Sequence, residues 1–180
     1  SSYRLGAYAE AETALRAAID LWTRTLGPER RNVLTAKNNL GAVLRDKGDL
    51  AAAEPLLREA LALRRKVSGD ESTDVAQSLR NVGLLLVEKH QYADADPVLQ
   101  QAVDLYRRVF PAAHPRIAEV LVALGRLRIE QGQASVAEPL LREALGGGPG
   151  ASRGVAIVYA PTRRGAEEEG ARLAAEGWRT

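Results

Sequence analysis

The sequence predicts an all-α fold assembled from stacked helix pairs. Three observations predict it: an internal period of 42 residues, apolar spacing of the helical kind within each period, and a tight turn at the same place in each. The nine residues Ala53 to Leu61 recur unchanged at Ala137 to Leu145. A diverged copy lies midway at Ala95 to Val103, and another lies one period earlier at Ala11 to Ile19. Gly41, Gly83 and Gly125 fall on the same step, as do Val33, Val75 and Ile117, and Gly6, Gly48, His90 and Gly132.

Each period divides into two helices. Val33, Ala36, Leu40, Val43 and Leu44 follow the i, i+3, i+4 rule for a first helix. Leu50, Ala53, Leu56, Leu57, Ala60, Leu61 and Leu63 do so for a second. Lys47-Gly48-Asp49 lies between them, with the glycine suited to a left-handed closing residue and the aspartate to capping. Longer polar loops, at 27–32, 69–74 and 111–116, join one pair to the next. Small residues recur where two helices must approach: Gly41, Gly83 and Gly125 on first helices, and Ala11, Ala53, Ala95 and Ala137 on second helices. Pro55, Pro97 and Pro139 fall inside second helices, where an interior proline ordinarily costs ~3 kcal/mol.

Composition excludes several kinds of protein. Apolar residues are 46% and charged residues 27% of 180, too apolar a mixture for a disordered chain. The formal charge of +2 excludes a strongly basic nucleic-acid binder or an acidic tail. Without cysteine there is neither a disulfide framework nor thiolate chemistry, and His90 and His114 have no ligand partners at metal spacing. No apolar run reaches the ~20 residues of a membrane span, and no signal segment opens the chain. Gly146-Gly147-Gly148-Pro149-Gly150 lacks the Lys-Ser/Thr of a phosphate loop and reads as a linker. The arginine pairs at 64–65, 107–108 and 163–164 are scattered, without interleaved aromatics. The expectation is therefore no cofactor, no metal, no catalytic residue, no nucleic acid within this segment and no membrane. The missing methionine points to a processed chain or part of a longer one, the alanine- and arginine-rich, lysine-poor usage to a bacterial source, and the lack of an export signal to the cytosol.

Helix pairs with glycine at the eighth position, alanine at the twentieth and a glycine turn between them resemble tetratricopeptide repeats. The usual unit is 34 residues; the 42-residue unit resembles the repeats of kinesin light chain. Leu26-Gly27-Pro28-Glu29, Asn38-Asn39-Leu40-Gly41, Tyr92 to Pro97 and His114-Pro115 carry the resemblance. It implies a right-handed α–α superhelix, a tetratricopeptide solenoid of about three and a half pairs over residues 1–145. First helices would line a concave surface that holds a peptide or partner protein. His90 departs from the pattern at the turn glycine, Ala134 at the bulky position of Tyr8, Leu50 and Tyr92, and Arg30-Arg31 at the later His-Pro.

The polar residues expected on the concave face are Asn38, Asn39 and Arg45, then Gln77, Arg80 and Asn81, then Arg126. Asparagine can pair with an extended peptide backbone and arginine with carboxylates, so the ligand expected is a peptide with some preference for acidic sequence. The resemblance to kinesin light chain singles out Asn39 and Asn81; the third repeat has Ala123 there. The competing role for these asparagines is bonding between neighbouring helices.

After Gly150 the period stops. Residues 146–153 read as a linker and 154–180 as a short strand–helix appendage: Val155 to Ala160 as a strand, 163–176 as a helix. The run Ile157 to Arg164, with Glu168 and Leu173, resembles the start of the second motor lobe of RecQ-like helicases. That resemblance implies an alternative, in which the repeats are the regulatory or targeting arm of a larger ATP-dependent α/β enzyme. A further alternative is a structural solenoid that self-associates through its ends.

Overall fold

A computed structural model describes residues 2–112 and 114–145. The appendage and linker expected beyond residue 145 lie outside the described residues. Seven helices follow one another: α1 (Ser2–Leu26), α2 (Arg31–Asp46), α3 (Leu50–Ser68), α4 (Thr73–Glu88), α5 (Tyr92–Val109), α6 (Pro115–Glu130) and α7 (Ala134–Ala144). No strand occurs among the described residues. The described residues divide into two compact units, one with α1 to α5 up to Val109 and one with α6 and α7 from Phe110 onward. In the first unit, α2 packs on α3 and α4 on α5 as hairpins, with α1 on α2 and α3 on α4 between them. In the second, α6 packs on α7.

The three turns inside the hairpins close alike. At the first, Gly48 takes φ 87° and the Asp49 N–H reaches back to the Leu44 carbonyl at 2.9 Å. Gln91 bonds Leu86 and Gln133 bonds Arg128 the same way, each at 2.8 Å. This six-to-one bond requires a left-handed residue just past the helix end. Gly132 supplies it at φ 73° and His90 at φ 58°. His90 is the sole non-glycine with positive φ among the described residues, and its Nδ1 lies 2.7 Å from the Tyr92 hydroxyl. Gly6 shares the period but sits within α1.

Helix starts are set by side chains. Asp49 accepts from the Ala52 N–H at 3.1 Å, and Ser72 from the Val75 N–H at 3.2 Å. His114 Nδ1 accepts from the Arg116 N–H at 3.2 Å, with Pro115 opening α6, where a missing N–H costs nothing. The interior prolines also find an explanation. Pro55, Pro97 and Pro139 are exposed, and so are Ala51, Ala93 and Ser135 four residues before them. The carbonyls that lose an intrahelical bond therefore face water, which supplies the bond instead.

Within each hairpin the glycine of the first helix meets a leucine of the second. A Cβ added to Gly41 would lie 2.6 Å from Leu57 Cγ, one on Gly83 2.5 Å from Leu99 Cγ, and one on Gly125 2.7 Å from Leu141 Cγ. Leu57 and Leu99 are 0% exposed, as are Ala53, Ala95 and Ala137 one turn earlier. The recurring small residues are therefore the floor into which each leucine packs.

Two ladders of ion pairs join successive repeats at the 42-residue step. Lys47 Nζ meets Glu12 at 2.5 Å and Lys89 meets Glu54 at 2.6 Å. Lys66 meets Glu29 at 2.5 Å, and Arg108 pairs with Glu71 at the equivalent place. Hydrogen bonds from Lys47 and Arg16 hold Glu12 below its usual carboxylate range; those from Lys89 and Arg58 do so for Glu54.

Three outcomes follow from this packing. Gly83→Leu drives a side chain into Leu99 and lowers stability at the upper end of the ~1–3 kcal/mol that overpacking costs, measured by urea unfolding. His90→Gly removes left-handed strain and raises stability by ~0.5–1 kcal/mol in the same assay. Glu12 and Glu54 have folded-state pKa values below the ordinary 4.5, so their stabilisation is complete above that value and disappears as pH falls through the lower folded values. Thermal midpoints recorded downward from pH 5 therefore fall less steeply for a Glu12→Gln, Glu54→Gln double variant.

Candidate functional site

The polar residues expected on the first helices do not share one environment. Asn38 is 0% exposed, and its Oδ1 accepts from the Ser78 hydroxyl at 3.2 Å, tying α2 to α4. Asn39, next to it, is exposed and makes no hydrogen bond among the described residues. Asn81 stands one period on from Asn39 but is 4% exposed. Its amide likewise has no hydrogen-bond partner among the described residues. The difference follows from position. Asn81 lies on α4, against which α2 packs, whereas no described first helix precedes α2.

The arginines also divide. Arg45 is nearly buried and donates to Asp46 Oδ1 at 2.6 Å, with Glu88 3.6 Å away, so its charge is balanced within the protein. It occupies the place where the next repeat has buried Val87. Arg80 is half-buried on α4, and Arg126 is exposed on α6 of the second unit. Lys37, also on α2, is held by Glu59 at 2.7 Å. The first-helix face of the first unit is therefore closer to neutral than basic. A shallow depression of about 480 Å³ beside it, lined by Tyr8, Arg45, Asp46, Lys47, Gly48 and Glu88, contains charges of both signs.

Behind that face is a residue whose role the sequence does not reveal. Arg64 belongs to α3, at the period position of Trp22 and Tyr106, yet is 1% exposed. Its guanidinium donates to the Asp74 carbonyl at 2.8 Å, Ser78 Oγ at 2.8 Å, Thr35 Oγ1 at 3.1 Å and Gln77 Oε1 at 3.3 Å. Ser78 passes the connection to Asn38. Burial pushes the Arg64 pKa down, opposed in part by the Asp74 carboxylate. Asp74 in turn holds Arg31 in a two-pronged pair at 2.8 and 3.2 Å, which raises the Arg31 pKa. Gln77, expected to meet a ligand, is thus gripped from behind.

Among the described residues no group of three His, Cys, Asp or Glu could hold a metal ion, and no helix is long and apolar enough to cross a membrane. What the arrangement offers is hydrogen-bonding amides on packed helices, the chemistry of recognition.

The tetratricopeptide repeat model matches residues 2–66, 32–108 and 74–147, and the chain belongs to that family. Repeats of this kind are typical protein–protein interaction scaffolds and are generally non-catalytic. Among solved structures, the chain resembles BtubC (BKLC) from P. vanneervenii at 19% identity and a TM-score of 0.68, covering 97% of this chain and 60% of that one. It resembles a Podosopora anserina protein, described as a kinesin light chain with nearly identical TPR-like repeats, at 20% identity and a TM-score of 0.73, covering 99% and 93%. A point variant of that protein gives 21% and 0.74, covering 97% and 89%. The chain therefore spans about three-fifths of the length of BtubC. At these identities the likeness shows the fold. No curated protein matches in sequence.

Replacing Arg64 tests the buried network. Arg64→Ala leaves the Asp74 carbonyl, Thr35 and Gln77 without their donor and costs ~1–3 kcal/mol. Arg64→Tyr, which borrows the residue filling the same position in the next repeat, costs less than half of that by urea unfolding.

Proposed function

We propose that the first unit binds an extended peptide segment of a partner protein on the face built by α2 and α4. Asn81 and Asn39 offer their amides to the peptide backbone, and Arg80 and Gln77 contact its side chains. The supporting observation is Asn81: a residue 4% exposed overall, whose amide makes no hydrogen bond among the described residues. The amide atoms of Asn81 remain within reach of water, and a peptide N–H or C=O takes the place of that water on binding. Asn38 is left out of the reading, because its carbonyl already serves packing. Arg45 is left out because Asp46 and Glu88 hold it. Recognition is then mainly of backbone, with Arg80 giving a modest preference for acidic residues.

The test is selection of binders from a displayed library of random 12-residue peptides on the full chain, then titration of the selected peptides. Asn81→Ala weakens binding at least tenfold, about 1.4 kcal/mol, while Asn38→Ala acts through stability. Arg80→Glu reverses any bias between acidic and basic peptides. Affinity unchanged by Asn81→Ala refutes the reading.

A further inference from the structure

Arg64 is a buried charge without a counter-ion. It is 1% exposed, and its hydrogen bonds all end on neutral oxygens: the Asp74 carbonyl, Ser78 Oγ, Thr35 Oγ1 and Gln77 Oε1. It makes no ion pair among the described residues. The Asp74 carboxylate offsets the charge in part but already holds Arg31 through two hydrogen bonds, so Arg31, Asp74 and Arg64 together leave one positive charge unmatched. Buried charges are ordinarily paired, because an isolated one is costly to take out of water. Gln77 connects this charge to the outer face of α4. Arginine only donates, so Oε1 is the end of the amide turned toward Arg64; a flipped amide would set N–H against N–H. The bond is 3.3 Å and shares Nη1 with the 2.8 Å bonds to Asp74 and Ser78, but the orientation follows from the donor's chemistry rather than from the bond's length. The Gln77 Nε2 makes no hydrogen bond among the described residues, and neither amide atom of this half-buried residue is shut off from water. Asn81 lies four residues on, so the two amides share one side of the helix.

We propose that Gln77 reads a carboxylate: opposite it the bound peptide carries Asp or Glu, and Arg64 is the positioning residue that makes Gln77 a donor. This rests on the reading of the α2 and α4 face as a peptide site. A carboxylate accepts from Nε2 and brings the missing negative charge to within one amide of the guanidinium, which polarises that amide in its favour. Lysine and arginine offer only donors and are refused at this place. Asparagine and glutamine offer an acceptor without the charge and bind more weakly. At the same period position α2 has Thr35 and α6 has Glu119, so no other described first helix has an amide there. Specificity at this point therefore comes from a neutral residue backed by a hidden charge.

The probe is the tightest binder selected on the full chain from a displayed library of random 12-residue peptides, resynthesised with each Asp or Glu replaced in turn by Asn or Gln. One of these replacements weakens binding at least tenfold on the unaltered chain and less than twofold on the Gln77→Ala chain. On the Gln77→Glu chain, whose carboxylate repels that of the peptide, the order reverses and the amide peptide binds the tighter. On the Arg64→Tyr chain the preference for acid over amide falls below threefold while the amide peptide keeps its affinity; a merely structural Arg64 would weaken both peptides alike. If the Arg64→Tyr chain does not fold, the two Gln77 chains decide. A binder without Asp or Glu, or an acid preference that survives Gln77→Ala, overturns the proposal, and one that survives Gln77→Ala but disappears with Arg80→Glu overturns it in favour of Arg80. Asn81→Ala reports on the peptide site separately. If it weakens both peptides and neither is preferred, the site stands and the role of Gln77 fails; if no peptide binds, both fail.

Discussion

The contact between a leucine of one helix and a bare glycine of its neighbour governs this molecule. It sets how near the two helices of each hairpin approach, with less than 3 Å between the leucine and any Cβ placed on the glycine. Close approach buries alanine backbone at Ala53, Ala95 and Ala137, which are 0% exposed. Larger residues at either place would hold the helices apart and lose the dispersion contacts that a close-packed interior supplies. Hairpins built to one template bury their faces in one way, so the rest of the chain varies around a constant frame.

That variation places the polar groups. Between α2 and α4 the frame encloses polar groups: Arg64, Thr35, Ser78 and Asn38 bond one another where the next repeat has Tyr106 in the equivalent core position. A guanidinium reaching two first helices from behind fixes their register more strictly than apolar packing does, since a slip leaves buried donors unpaired. The network takes Asn38 into the fabric of the protein, holds Gln77 through its Oε1 and leaves Asn81 without a hydrogen bond among the described residues. The ion-pair ladders act differently. They lie near the surface and each contributes little, but they recur with the period and join consecutive repeats at both ends of the helices.

Much of the fold was legible because periodicity is a property of the whole chain and survives local divergence. The nine-residue identity, the glycine step and Gly48-Asp49 locate the hairpins, the turns and one cap without coordinates. The site was less legible, because a period places residues on a helix but not the neighbours that cover them. Asn39 and Asn81 are equivalent in sequence, yet one is exposed and the other 4% exposed; a described first helix, α2, precedes α4, and none precedes α2. Arg64 was hidden because an arginine pair in a charged stretch reads as surface; its alignment with Trp22 and Tyr106, both bulky and part apolar, was the available signal. The ladders were hidden for a related reason. Glu12 and Lys47 are 35 residues apart and become meaningful only when Glu54 and Lys89 are seen to repeat the spacing.

The most direct test of the central contact is a double-mutant cycle at Gly83 and Leu99, with Gly83→Leu, Leu99→Ala and the pair compared by urea unfolding. If the leucine and the glycine occupy one shared space, removing the leucine side chain makes room for the new one. The double variant is then more stable than the sum of the single effects by ~1–3 kcal/mol. Additivity within ~0.5 kcal/mol would mean that the two positions do not meet, and the account of the fold built on them would fail.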